Sequence, residues 1–90
     1  PQGGVVAAGN AQISAPNAQT VQINQSSQKA VINWQSYNVA AHEQVNYQQP
    51  NAQSITLNRI NPQNGVSKIY GSITANGQVW LVNPAGIWFG

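Results

Sequence analysis

The 90 residues contain no cysteine, no methionine, a single acid (Glu43), a single histidine (His42) and only two leucines, Leu57 and Leu81. Each shortage excludes something. Without cysteine no disulfide can staple so short a chain, which buries only about 60–65% of the surface its unfolded form exposes. His42 and Glu43 alone cannot build a metal site. They also lack the nucleophile or second carboxylate that acid–base chemistry requires. No catalytic residue, cofactor or metal is therefore expected. The three cations, Lys29, Arg59 and Lys68, are scattered and leave a net charge of +2. Nucleic-acid binding needs clustered Lys and Arg that neutralise several phosphates, so no nucleic-acid partner is expected. No apolar run approaches the roughly 18 residues of a spanning helix, and direct membrane insertion is not expected either. No signal-peptide pattern is present, and Pro1-Gln2-Gly3-Gly4 reads as the start of a processed or trimmed chain.

What is present is amide. Thirteen Gln and 12 Asn stand among the 90 residues, beside a hydrophobic content of 41% arranged in short β-branched runs. Such a balance disfavours helix and favours short strands between turns. Neutral amides suit β structure whose side chains form ladders between stacked strands. Strands are expected at Gln12–Ile13, Thr20–Asn24, Ala30–Trp34, Val45–Gln48, Ser54–Asn58, Lys68–Ala75, Gln78–Val82 and Gly86–Phe89. Turn signals separate them, notably Ala15-Pro16-Asn17, Gln49-Pro50-Asn51, Asn61-Pro62-Gln63-Asn64-Gly65, Asn76-Gly77 and Asn83-Pro84-Ala85-Gly86. Alternation on both sides of Asn76-Gly77 fits a tight hairpin, and the 83–86 corner fits a bend between flat faces equally well. No internal repeat of fixed length is visible. The pattern means all-β with short strands, and leaves sandwich, barrel and solenoid open. Whatever stabilises the segment must be a repetitive backbone ladder, a continuation of the chain, or neighbouring copies.

Three blocks in fixed order carry a resemblance. The first runs from Pro1 to Ile13. The second is Lys29-Ala30-Val31-Ile32-Asn33-Trp34-Gln35-Ser36-Tyr37-Asn38-Val39, followed by Glu43 to Pro50. The third is Leu57-Asn58-Arg59-Ile60 and then Ser67 to Gly90, with Ala75-Asn76-Gly77-Gln78-Val79-Trp80-Leu81-Val82-Asn83-Pro84-Ala85-Gly86-Ile87-Trp88-Phe89-Gly90 at its centre. Together they resemble the filamentous-haemagglutinin N-terminal domain, the two-partner secretion domain of bacterial exoproteins, along all of residues 1–90. Two departures stand out. Ala85 replaces a family Asn in the Asn-Pro-Asn-Gly-Ile turn, which puts in doubt any contact that depends on that side chain. The family's Asn-Pro-Asn-Leu block is echoed only faintly by Asn61-Pro62-Gln63-Asn64.

The resemblance implies a right-handed parallel β-helix, a single-stranded solenoid with an N-terminal cap and extra-helical strands. Residues 1–90 would be the cap and first coils of a longer secretion domain followed by a large passenger. It also implies a function: recognition in the periplasm by the periplasmic domains of a dedicated outer-membrane transporter. Export to the outside or surface of a Gram-negative bacterium would follow, with the cap nucleating β-helix folding. The passenger (adhesin, cytolysin, haem-acquisition protein or growth-inhibition toxin) stays open. Candidate recognition residues are Asn33, Trp34, Asn58, Arg59, Asn83, Pro84 and Gly86. Structural alternatives stand beside them: turn capping or an amide ladder for Asn33 and Asn83, core packing for Trp34, and a bond to backbone carbonyls or Glu43 for Arg59. Trp80, Ile87, Trp88 and Phe89 form a candidate assembly surface, because Trp80 and Trp88 alternate with residues that fit the coil interior, and Val79 to Gly90 carries no charge to guard an open edge. Self-assembly into an extracellular filament is accordingly the alternative function. A carbohydrate-active β-helix enzyme is disfavoured, since such sites need acids and bases that this chain lacks.

Overall fold

The computed structural model describes every residue from Pro1 to Gly90. Its ten strands are β1 (Val5–Ala8), β2 (Ala11–Asn17), β3 (Thr20–Gln25), β4 (Lys29–Trp34), β5 (Gln44–Gln48), β6 (Ile55–Ile60), β7 (Ser67–Ile69), β8 (Ser72–Ala75), β9 (Gln78–Val82) and β10 (Ile87–Phe89). The one helical element is a single 3-10 turn, Pro62–Asn64, capped by the Asn61 side chain.

The strands stack in three walls. The first wall has the order β2-β3-β5-β8, the second β1-β4-β6-β9, and the third pairs β7 with β10. From β3 to β8, from β4 to β9 and from β7 to β10 every pairing is parallel. A bridge from Val39 to Ile69 carries the third wall up to the first coil. The chain therefore winds three times, through β3-β4-Val39, β5-β6-β7 and β8-β9-β10, as a parallel β-helix. At the N-terminal end β1 runs antiparallel to β4 and β2 antiparallel to β3, which closes that end as a cap.

The strand positions follow the sequence pattern closely, apart from the Ala15-Pro16-Asn17 turn signal, which β2 runs through with a break in register between Ser14 and Asn17, and three further differences. Lys68–Ala75 is two strands, not one. Tyr70 and Gly71 turn the corner between walls, both donating their N–H groups to the Val39 carbonyl at 2.7 and 3.0 Å. Gly71 is required there, since a Cβ would lie 2.2 Å from the carbonyl oxygens of Ala40 and Glu43. Asn76-Gly77 is likewise a corner and not a hairpin, because β8 and β9 belong to different walls. The third difference is β1, which glycines on both sides conceal in the sequence. No fixed repeat appears because the chain length per coil varies: Thr20 pairs with Gln44 and Gln44 with Ser72, whereas Lys29 pairs with Ile55 and Ile55 with Gln78.

Alternation sends every second side chain inward. Ile23, Ile32, Trp34, Tyr37, Val39, Val45, Tyr47, Ile60 and Ile69 form one continuous core. Parallel register piles them in columns, such as Val21 over Val45 over Ile73 and Trp34 over Ile60. The cap adds Val6, Ala11 and Ile13 to the same core. Gly4 lies flat on the Trp34 ring, where a Cβ would come within 2.5 Å of the indole and 2.9 Å of Ile13. Replacing Gly4 with valine should push the cap off its coil and cost about 1–3 kcal/mol, in the range of overpacked sites. Urea unfolding should show a lower midpoint, and an unchanged midpoint would mean that the cap does not bear on the core.

Candidate functional site

Eight of the 18 buried residues are polar, and all are satisfied: no buried side-chain nitrogen or oxygen lacks a hydrogen-bond partner. Asn58, in β6, is fully buried. Its Oδ1 accepts the Trp34 indole N–H at 2.8 Å and the Tyr47 hydroxyl at 3.0 Å, while its Nδ2 donates to the Trp80 carbonyl at 3.2 Å. Because Tyr47 spends its proton on Asn58, the 2.7 Å contact with Tyr37 has Tyr37 as donor. Burial pushes the Tyr37 hydroxyl up to about 12. Burial, with Tyr37 beside it, also raises Tyr47 well above an ordinary phenol.

A second network stands at the corner of the first and second walls. Gln25, Gln49 and Thr56 are buried. Thr56 Oγ1 donates to Gln25 Oε1 and accepts from Gln49 Nε2 at 3.0 Å. Gln49 also donates to the Gln78 carbonyl at 2.8 Å and accepts the Gly77 N–H at 2.8 Å. This network ties together all three coils.

The residues singled out from the sequence divide into two groups. Trp34, Asn58 and Asn83 are buried. The structural alternative holds for Asn83, whose side chain accepts the Ala85 N–H at 2.9 Å and donates to Gly65 O at 3.0 Å and Ser67 Oγ at 2.9 Å. The turn after it closes through Gly86, at φ +113°, whose N–H reaches Asn83 O at 2.9 Å. It needs no second asparagine at the exposed Ala85. Pro84 is exposed at this corner and Gly86 is half-buried. Asn33 and Arg59, by contrast, sit side by side on the outer surface of the second wall, with Arg59 Nε donating to Asn33 Oδ1 at 2.9 Å. Arg59 thus takes neither a backbone carbonyl nor Glu43, which instead accepts the Ala40 N–H at 2.8 Å. Trp80 and Trp88 point outward, at 56% and 63% exposure. Ile87 and Phe89 stack on the buried Ser67 and Ile69 and so face the coil interior. Tyr37, Tyr47, Thr56, Gln25 and Gln49 were not singled out from the sequence. The signal for some of them was phase, since Tyr47 alternates with Val45, and Asn58 with Thr56 and Ile60.

The two long walls differ on their outer surfaces. The first presents Gln12, Ser14, Gln22, Asn24, Gln44, Asn46, Gln48, Ser72 and Thr74, hydrogen-bonded to one another at several points, including Thr74 Oγ1 to Asn46 Oδ1 at 2.6 Å and Gln22 Nε2 to Asn24 Oδ1 at 3.1 Å. The second presents Lys29, Val31 and Asn33 on β4, Ile55, Leu57 and Arg59 on β6, and Gln78, Trp80 and Val82 on β9, all in register.

In class the chain is a parallel β-helix, capped at its N-terminal end and holding the buried amides Gln25, Gln49, Asn58 and Asn83 in its interior. The model of the TPS secretion domain matches residues 1–90, the whole chain. The chain belongs to the TPS, or two-partner secretion, domain family, which is a family of secretion domains and not of enzymes. It is 38% identical over 79 residues to a heme/hemopexin-binding protein of Haemophilus influenzae, covering 88% of this chain and 8% of that protein. It is 37% identical over 87 residues to the same-named protein of H. influenzae strain Rd, covering 97% of this chain and 9% of that one. The fold is similar to the crystal structure of the HMW1 secretion domain from H. influenzae, with a TM-score of 0.89 and 36% identity over 99% of this chain and 23% of that one. The chain thus spans about a tenth of the length of the curated relatives it matches.

Two outcomes follow from the interior. An Asn58→Leu substitution strands the Trp34 N–H, the Tyr47 hydroxyl and one of the Trp80 carbonyl's contacts in an apolar interior, and should cost about 2–5 kcal/mol in denaturant unfolding. An unchanged midpoint would show that the network adds nothing. The tyrosines set the alkaline limit. Both resist ionisation in the fold, whereas the unfolded chain releases these protons near pH 10. Their contribution is therefore complete below about pH 10 and is lost as pH rises beyond it. Thermal midpoints should fall above pH 10, and a Tyr37→Phe/Tyr47→Phe variant should show a shallower fall.

Proposed function

We propose that this chain is the recognition and first-folding segment of an exoprotein's secretion domain. It is held in the periplasm by the periplasmic domains of a dedicated outer-membrane transporter, passes through the barrel as an extended chain, and re-forms its β-helix outside on the way to the cell surface. The observation that carries the folding part is the one-ended cap. Antiparallel β1 and β2 close the first coil, so further coils can add only on the side of β8, β9 and β10. Coil-by-coil growth on a closed end follows the nearest-neighbour energetics of solenoids. Absence of cysteine and the low charge leave nothing that locks or strongly hydrates the chain while it is extended. Family membership over residues 1–90 supports the recognition part.

A second reading, self-assembly into an extracellular filament, rests on the last coil. Phe89 stacks over Ile69 yet is 69% exposed, so a following coil or a second copy can take the space above it. A head-to-tail contact of that kind does not close and would yield fibres. Sedimentation of the exoprotein and an Ile87→Lys variant separate the two. Fibres abolished by the lysine favour assembly, and a monomer in both cases excludes it.

The main reading is tested by deleting residues 1–90 from the exoprotein in cells that express its transporter. The expected result is accumulation in the periplasm, as in cells lacking the transporter. Undiminished secretion of the deleted protein would overturn the reading.

A further inference from the structure

The outer surfaces of the two long walls share a backbone geometry and differ in chemistry. On the first, the outward positions of β3, β5 and β8 are amides or hydroxyls, as are Gln12 and Ser14 of β2. On the second, Val31, Leu57 and Trp80 form an in-register column across three coils. Lys29 flanks this column on one side and the Asn33–Arg59 pair on the other. Three of the large apolar side chains that the molecule exposes, Val5 at 64%, Trp80 at 56% and Val82 at 47%, lie on this wall, and none lies on the first. Two of the chain's three cations are here, and its single acid is not. With Nε held by Asn33, the Arg59 side chain is anchored while the rest of its guanidinium stays open to solvent.

We infer that this wall is the surface by which the chain meets its transporter, an inference that rests on the recognition reading above. Its complement there is an acidic, apolar-faced segment of the periplasmic domains. An apolar ridge on that segment would cover the Val31–Leu57–Trp80 column. Carboxylates on either side of the ridge, about 13 Å apart as residues four positions along a strand are, would meet Lys29 and Arg59. Charge selects the partner: a surface that is apolar and cationic, with no acid of its own, repels a second copy of itself and favours an acidic one. The amide wall, polar and in part bonded to itself, offers no comparable gain on burial.

The test measures binding of the chain to its complete transporter reconstituted in lipid nanodiscs, at low and high salt. Trp80→Gln should weaken binding at least tenfold. A Lys29→Gln/Arg59→Gln pair should do likewise and flatten the salt dependence. An Asn24→Asp/Gln44→Glu pair changes net charge by the same amount on the amide wall and should stay within about twofold of the parent. Thermal midpoints confirm that each variant is folded, and a variant that fails to fold is replaced by Leu57→Gln or Lys29→Gln alone. Wild-type chain that does not bind at all would sink the recognition reading itself. Binding weakened equally by both charge pairs, or by the amide-wall pair alone, would overturn the surface and leave recognition standing. So would Trp80 in the exoprotein being protected from oxidation without transporter, since another part of the chain would then cover the wall. A concentration-dependent dimer lost on Trp80→Gln, with transporter binding intact, would overturn it in favour of a second copy.

Discussion

Parallel stacking of one coil directly on the next is the constraint from which the other features follow. In an antiparallel hairpin a turn sets the register locally, but here each strand of the coils meets its parallel partner only after the chain has gone round three corners. Register must be held by what the side chains do on the inside. A slip of one residue would turn an entire strand inside out, taking Ile60 and Thr56 to the surface and Arg59 to the core. The buried amides make such slips costly. Asn58 is satisfied only when Trp34 lies in the coil above and the Trp80 carbonyl in the coil below. Gln49 is satisfied only when Thr56 and Gly77 are in place. An apolar interior would be more tolerant of misalignment.

The corners obey the same constraint. Each coil must turn at nearly the same height as the one before it, so backbone passes close over backbone. Gly71 and Gly77 sit where a Cβ would meet carbonyl oxygens of the preceding coil. At the third corner Asn83 uses both ends of its amide, one to close its own turn and one to hold the coil above. An asparagine that resembles a surface feature in the sequence is in this way an interior strut.

Stacking also explains how a chain with so little charge and no covalent cross-link stays ordered. Each added coil buries its inward side chains against an existing template and completes polar networks that the template leaves half-made. Order therefore depends on having a first surface to build on, which β1 and β2 supply by closing one end. The outer walls are free of this demand, because a residue on the outside of a ladder meets only its neighbours in register. They can accordingly diverge, one into an amide lattice and the other into an apolar column between cations.

Much of this was legible in the sequence. Short β-branched runs, Pro- and Gly-marked corners and the alternation around Val79 and Leu81 determined an all-β chain and nearly all of its strands, because period two is a local property of a pleated strand. The outward aspect of Trp80 and Trp88 follows from the same alternation. Resemblance to secretion domains supplied the winding, which periodicity left open among three architectures. Other matters were decided only by the tertiary structure. Asn76-Gly77 satisfies the local rules of a hairpin, yet turns a corner because β8 and β9 find their partners in β5 and β6. Asn33 and Asn58 stand in similar motifs, one on the surface and one in the core, because only the pairing of β4 with β6 determines which column each joins. Tyr37 and Tyr47 meet across ten residues, of which only the last few, in β5, form a strand. Alternation states which residues share a side. Which side is inside, and which distant residue lies above, is determined by non-local stacking that no short window of sequence contains.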